Sequence, residues 1–215
     1  MPLQVNEIFF SIQGESSHAG RPCAFIRLTG CNLRCSYCDT TYAYDEGSWL
    51  EIPEIERQIR PFHCRLVEIT GGEPLLQAQT PELIRTLLDR QYTVLLETNG
   101  SRDIGGVDER CIRIVDVKCP SSGESEKNRL ENFAIITPND EVKFVIGNRE
   151  DFEYAKSIIS THLSHRNDLK PPLISPVFGR MNPESLARWI LEDHLDVRLQ
   201  IQLHKWIWGA EKRGV

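Results

Sequence analysis

Ala24-Phe25-Ile26-Arg27-Leu28-Thr29-Gly30 runs directly into Cys31-Asn32-Leu33-Arg34-Cys35-Ser36-Tyr37-Cys38, and this join decides the fold. The apolar run 24–28 predicts a buried strand. The loop after it presents three thiols, at positions 31, 35 and 38. Soft thiolates at that spacing can wrap one face of an iron–sulfur cubane. A structural site would want four protein ligands; three leave one iron free to chelate a small molecule. Taken alone, the triplet also fits a structural zinc site completed by Cys23, His63 or Cys64.

Working outward, strand signals recur at 66–70, 93–97, 112–117, 141–146, 172–175 and 197–203. Thr80-Pro81 and Asn182-Pro183 each read as an N-cap followed by a proline opening a helix. Further helices are expected at 53–60 and 151–163, and loops at 119–132 and 165–172. Alternating β and α elements build a parallel sheet with helices on its outer face. Some six such units in 215 residues are too few for a closed eight-stranded barrel. The expected fold is an α/β, open, partial TIM-like barrel of about six parallel strands. It should form a single domain over 1–215, with its site at the C-terminal strand ends.

Composition narrows the function. A net charge of -6 leaves no surplus of Lys or Arg for a nucleic acid. No apolar run is long enough to span a bilayer, and residues 1–7 lack the pattern of a secretory leader, so a cytoplasmic protein is expected. Seven cysteines, an odd count, fit a disulfide framework poorly and favour metal ligation for the close group. Cys23, Cys64, Cys111 and Cys119 read as small buried hydrophobes.

Other strand ends carry chemistry. The run 66–70 enters Gly71-Gly72-Glu73-Pro74, where paired glycines allow either a tight turn or close backbone approach to a ligand. Asp116-Val117-Lys118 is either a solvated pair or a ligand contact, and Thr98-Asn99-Gly100 and Ser175-Pro176-Val177-Phe178-Gly179 could rim a nucleoside. The triplet, with Tyr37 at the aromatic position of C-x3-C-x-aromatic-C, and the GGEP after the next strand resemble the radical S-adenosylmethionine (SAM) superfamily. The resemblance implies a [4Fe-4S] cluster on Cys31, Cys35 and Cys38 whose open iron binds SAM and releases a 5′-deoxyadenosyl radical. It also implies a SAM pocket lined by Tyr37, Cys38, Asp39, Gly72, Asp116, Val117 and Lys118.

Asn6-Glu7-Ile8-Phe9, Ser11-Ile12-Gln13-Gly14-Glu15, Phe25-Ile26-Arg27, Cys38-Asp39-Thr40, Gln202-Leu203-His204-Lys205 and Arg213-Gly214-Val215 are similar to the 7-carboxy-7-deazaguanine synthase family. That resemblance, over essentially the whole chain, implies a lyase that contracts 6-carboxy-5,6,7,8-tetrahydropterin to 7-carboxy-7-deazaguanine with loss of ammonia. This is a step toward queuosine and other 7-deazapurines, and it uses SAM catalytically. The family's pattern gives Ile12, Gln13, Gly14, Arg27, Thr70, His204 and Val215 to the substrate and Thr40 to Mg2+. It further implies a homodimer reduced by an external flavodoxin- or ferredoxin-like donor. The competing readings are a glycyl-radical-enzyme activating enzyme and a non-catalytic metal- or cluster-binding scaffold.

Overall fold

The computed structural model describes residues 1–215. Its centre is a nine-stranded sheet in the order β3-β1-β2-β4-β5-β6-β7-β8-β9. β2 (Pro22–Leu28), β4 (Leu66–Gly71), β5 (Thr93–Thr98), β6 (Ile112–Val117), β7 (Glu141–Ile146), β8 (Leu173–Pro176) and β9 (Arg198–Leu199) run parallel. The sheet does not close on itself. It is the open partial barrel expected.

Two strands went unread in the sequence. β1 (Leu3–Ile12) and β3 (Ser48–Leu50) add an antiparallel edge beside β2. Along β1 only Leu3, Val5 and Ser11 are buried, and the register shifts between Val5 and Glu7, which breaks the alternation that would have shown it.

α1 (Ile52–Ile59), α2 (Thr80–Asp89), α3 (Arg149–Ile158) and α4 (Pro183–Glu192) cover the outer face. α1 and α2 bury Ile55, Ile59, Leu83, Ile84 and Leu87 in a core with Ile26, Val67 and Leu96, while Phe152, Ala155 and Leu186 pack with Phe144 and Ile174. Asn182 caps α4 as expected, accepting from the Glu184 amide at 2.7 Å. Thr80 does not cap α2; it lies inside the helix and donates its hydroxyl to the Pro74 carbonyl at 2.6 Å. α3 stops at Ile158 and continues as a π-helical turn over Ile159–Leu163. The β6–β7 connection, expected as a loop, is a chain of short 3-10 turns. Lys118 and Asn128 tie it down: the Lys118 amide donates to Asn128 Oδ1 at 2.9 Å, and Asn128 Nδ2 donates to the Lys118 carbonyl at 2.8 Å.

The last expected strand is a correction. Only Arg198–Leu199 pairs with β8, and Leu203–Trp208 forms a short helix, α5. The Leu203 amide donates to the Gly14 carbonyl at 3.0 Å, which turns the chain away from the sheet and back over its inner face.

Candidate active site

Side chains two apart on a strand share a face, and the inner face of the barrel is layered accordingly. At its floor Cys23, Phe25, Leu66, Leu95 and Ile114 form an apolar plug. One step toward the C-terminal ends stand Arg27, Glu68, Glu97, Asp116 and Lys143, which line a cavity of about 520 Å³. Of the residues assigned from the sequence, Ile12, Gln13, Gly14, Arg27, Cys31, Cys35, Tyr37, Cys38, Asp39, Thr40, Thr70, Gly72, Asp116, Lys118, His204 and Val215 all border it. The exception is Val117, whose side chain the alternation of β6 turns into the outer core beside Phe144.

The cysteine loop is held against the end of β4 by backbone contacts. Gly72 N–H donates to the Leu28 carbonyl at 3.2 Å, and Glu73 N–H to the Gly30 carbonyl at 2.7 Å. A Cβ on Gly72 would fall 2.1 Å from the Gly30 oxygen and 2.8 Å from Cys31 Cβ, so only glycine allows this approach. Glu73 is fully buried and accepts from Leu75 N, Thr98 Oγ1 and Asn99 N. It therefore welds the ends of β4 and β5 beside the loop.

The three thiols are half-buried and unpaired. Burial raises both the Cys31 and Cys35 thiols, Cys35 to about 11 although Lys118 opposes the rise. No three His, Cys, Asp or Glu side chains converge tightly enough to hold a single metal ion. The thiols stand instead around one cavity wall, an arrangement that fits a cluster of several ångströms. Asn99 Nδ2 approaches Cys31 Sγ at 3.9 Å. Cys23, Cys111 and Cys119 are fully buried as expected, but Cys64 is only half-buried, so the expectation for it is corrected. It sits at the barrel's bottom rim, its thiol donating to the Pro22 carbonyl at 3.2 Å.

Glu68, Glu97 and Lys143, to which the sequence assigned no role, stand in the middle of the cavity beside Asp116. Lys143 sits among Glu15 at 3.0 Å, Asp116 at 3.5 Å and Glu97. Burial alone would lower the Lys143 ammonium, but Glu15, Glu97 and Asp116 raise it well above its ordinary value. Lys118 pairs with Asp116 Oδ2 at 2.9 Å, while Asp116 Oδ1 is buried without a protein partner. An orphaned carboxylate oxygen at that depth fits a hydroxyl-bearing ligand such as a ribose. The available signal was charge within strands: Glu68 and Glu97 are the single charges of β4 and β5, while Asp116 shares β6 with Arg113 and Lys143 shares β7 with Glu141.

Arg27 is anchored from one side. Its Nε donates to Glu7 Oε1 at 2.8 Å, and its guanidinium lies near the Phe9 and Tyr42 rings. Neither terminal Nη makes a protein hydrogen bond, so the fork is available to a carboxylate. Opposite, α5 closes the cavity. Gln202 Nε2 donates to Glu15 Oε1 at 2.9 Å, Lys205 Nζ to Asp39 Oδ2 at 2.6 Å, and His204 packs directly on Gly14. Burial keeps the His204 imidazole below its ordinary value despite Glu15. Burial would raise the Asp39 carboxyl, but Lys205 and the Thr40 hydroxyl bring it down to about 2.

The open barrel, the three-thiol loop and the glycine cradle beside it are those of a radical SAM enzyme, and residues 25–162 match the Radical SAM superfamily. The 7-carboxy-7-deazaguanine synthase of Chlorobaculum tepidum is 47% identical over all of this chain and 98% of its own. That of Koribacter versatilis is 43% identical over 99% of this chain and 100% of its own. The chain belongs to the 7-carboxy-7-deazaguanine synthase family. The crystal structure of QueE from Escherichia coli superposes with a TM-score of 0.75 at 21% identity, covering 95% of each chain, a likeness of fold. No helix is long and apolar enough to cross a membrane.

Proposed function

We propose that this chain converts 6-carboxy-5,6,7,8-tetrahydropterin to 7-carboxy-7-deazaguanine with loss of ammonia. Carrying the reading is Arg27, whose unpartnered fork lines the same cavity as the cysteine loop and Thr40. The full-length likeness to named synthases supports it. When bound, the cluster with SAM supplies a 5′-deoxyadenosyl radical for hydrogen abstraction.

The chain's residues do the rest. Cys31, Cys35 and Cys38 would hold the cluster, with Tyr37, Cys38, Asp39, Gly72 and the Asp116–Lys118 pair bordering SAM. Arg27 would take the substrate carboxylate, while Gln13, Thr70 and His204 would bound its ring, with Ile12, Gly14 and Val215 completing the wall. Thr40 is a hard oxygen donor on this rim, its hydroxyl now donating to Asp39 Oδ1 at 2.9 Å. One protein oxygen suits a Mg2+ that keeps water and substrate oxygens as its other ligands. Thr40→Ala should lose most of the stimulation by Mg2+ while keeping full cluster content, as read from turnover across a Mg2+ series. The reading also includes a homodimer and an external flavodoxin- or ferredoxin-like reductant.

Anaerobic turnover with SAM, a reductant and the carboxypterin tests the reaction. A deazapurine product with little net loss of SAM is the expected result. Stoichiometric 5′-deoxyadenosine without that product would point to an activating enzyme.

A further inference from the structure

Glu68 has no place in the assignments above, yet it lies in the cavity wall and is 4% exposed. On β4 it falls between Leu66 of the apolar plug and Thr70 at the cavity rim. Its environment is crowded with negative charge. Glu97 is on the adjacent β5, Glu15 faces it from the loop after β1, and Asp116 stands two strands away. Lys143 is already shared by Glu15, Glu97 and Asp116, while Arg27, across on β2, is engaged by Glu7. The Cys23 thiol approaches from below and brings no positive charge.

Hydrogen bonding orders this corner in one direction. The Glu15 backbone N–H, which can only donate, points to Gln13 Oε1 at 3.0 Å. The Gln13 amide is thereby fixed with Nε2 toward Glu68, and it donates to Glu68 Oε2. Glu68 Oε1 has no protein partner, nor is it sealed away from solvent. It opens on the cavity.

We propose that Glu68 is a further substrate-recognition residue, anchoring Gln13 through Oε2 and offering Oε1 as a hydroxyl donor to an acceptor atom of the bound heterocycle. The inference rests on the carboxypterin reading of this cavity. A pterin ring carries a carbonyl oxygen and ring nitrogens that accept hydrogen bonds, and the surrounding carboxylates Glu15 and Glu97 can only accept. A neutral acid supplies a donor at a corner where its carboxylate neighbours supply none. Burial, then the Glu97 and Glu15 charges, raise the Glu68 carboxyl well above its ordinary value, in keeping with that role.

The test compares Glu68→Gln and Glu68→Leu with the parent in the reconstituted holoenzyme. Glutamine keeps both an acceptor for Gln13 and a donor toward the ligand; leucine keeps neither. Equilibrium binding of the carboxypterin, measured with SAM present but no reductant, should weaken about tenfold or more in Glu68→Leu and less than about threefold in Glu68→Gln. Iron content and SAM binding should be equal in all three. Melting temperature against pH gives an independent readout. A carboxyl raised in the folded state costs stability as pH climbs from the unfolded value toward the folded one. The margin of Glu68→Gln over the parent should therefore widen between pH 5 and pH 8. If Glu68→Gln binds as poorly as Glu68→Leu, or the margin is flat, an ionised Glu68 is required and the proposal fails. Equal binding by Glu68→Leu and the parent also overturns it. A parent that does not bind the carboxypterin overturns instead the substrate reading beneath it.

Discussion

Cys35→Ala should give a folded protein that holds no stable [4Fe-4S] cluster and makes no product. Cys35 lies in the cavity wall and outside all three apolar cores, so its truncation leaves the packing of the barrel intact. The loop would then retain only two of its three sulfur ligands. Iron–sulfur assembly depends on thiolate ligation, and burial already makes the remaining Cys31 thiol reluctant to ionise without iron. Iron and sulfide content after anaerobic reconstitution, with the visible absorbance of the cluster, measures the loss. The melting temperature should stay within a few degrees of the parent, as for a substitution outside the core. Cys64→Ser, at the opposite end of the barrel, is the control and should keep a full cluster. A Cys35→Ala protein with full cluster absorbance would refute the ligand assignment.

Gly72→Ala is the second large effect, and it acts through backbone. One methyl group would meet the Gly30 carbonyl oxygen at 2.1 Å and Cys31 Cβ at 2.8 Å. Neither neighbour is the flexible end of a side chain, so the turn after β4 and the cysteine loop must move apart. That movement breaks the hydrogen bonds from Gly72 to Leu28 and from Glu73 to Gly30. Displacements of about 1 Å at a reacting centre cost on the order of a hundredfold in rate. We expect turnover to fall by at least about that factor, with weakened SAM binding and a lower melting temperature. Near-parental turnover would show that the two loops are not pressed together.

Much of the barrel could be read because its parallel strands are buried on both faces, leaving continuous apolar runs bounded by turn residues. The edges could not. β1 and β3 lie at the solvated margin, and α5 is a six-residue helix with no buried residue. It exists through contacts with Gly14, Glu15 and Asp39, which local sequence does not encode. In the site, the thiols and glycines announced themselves by spacing. Glu68, Glu97 and Lys143 did not, because a charge inside an apolar strand has meaning only once the faces are known. Val117 is the converse. It shares a tripeptide with two cavity residues, yet strand alternation sends it to the far side.

The contacts that complete the cavity are also distant in sequence. Gln202 reaches Glu15 across 187 residues of sequence, and Lys205 reaches Asp39 across 166. Closing a loop of that length costs entropy that local contacts do not, and the strands between its ends order most of it. During folding the cysteine loop and the Gly72 turn can thus be in place while the wall carrying His204 is still undocked. A barrel with that wall undocked is open-sided and would give iron and sulfide direct access to the thiols.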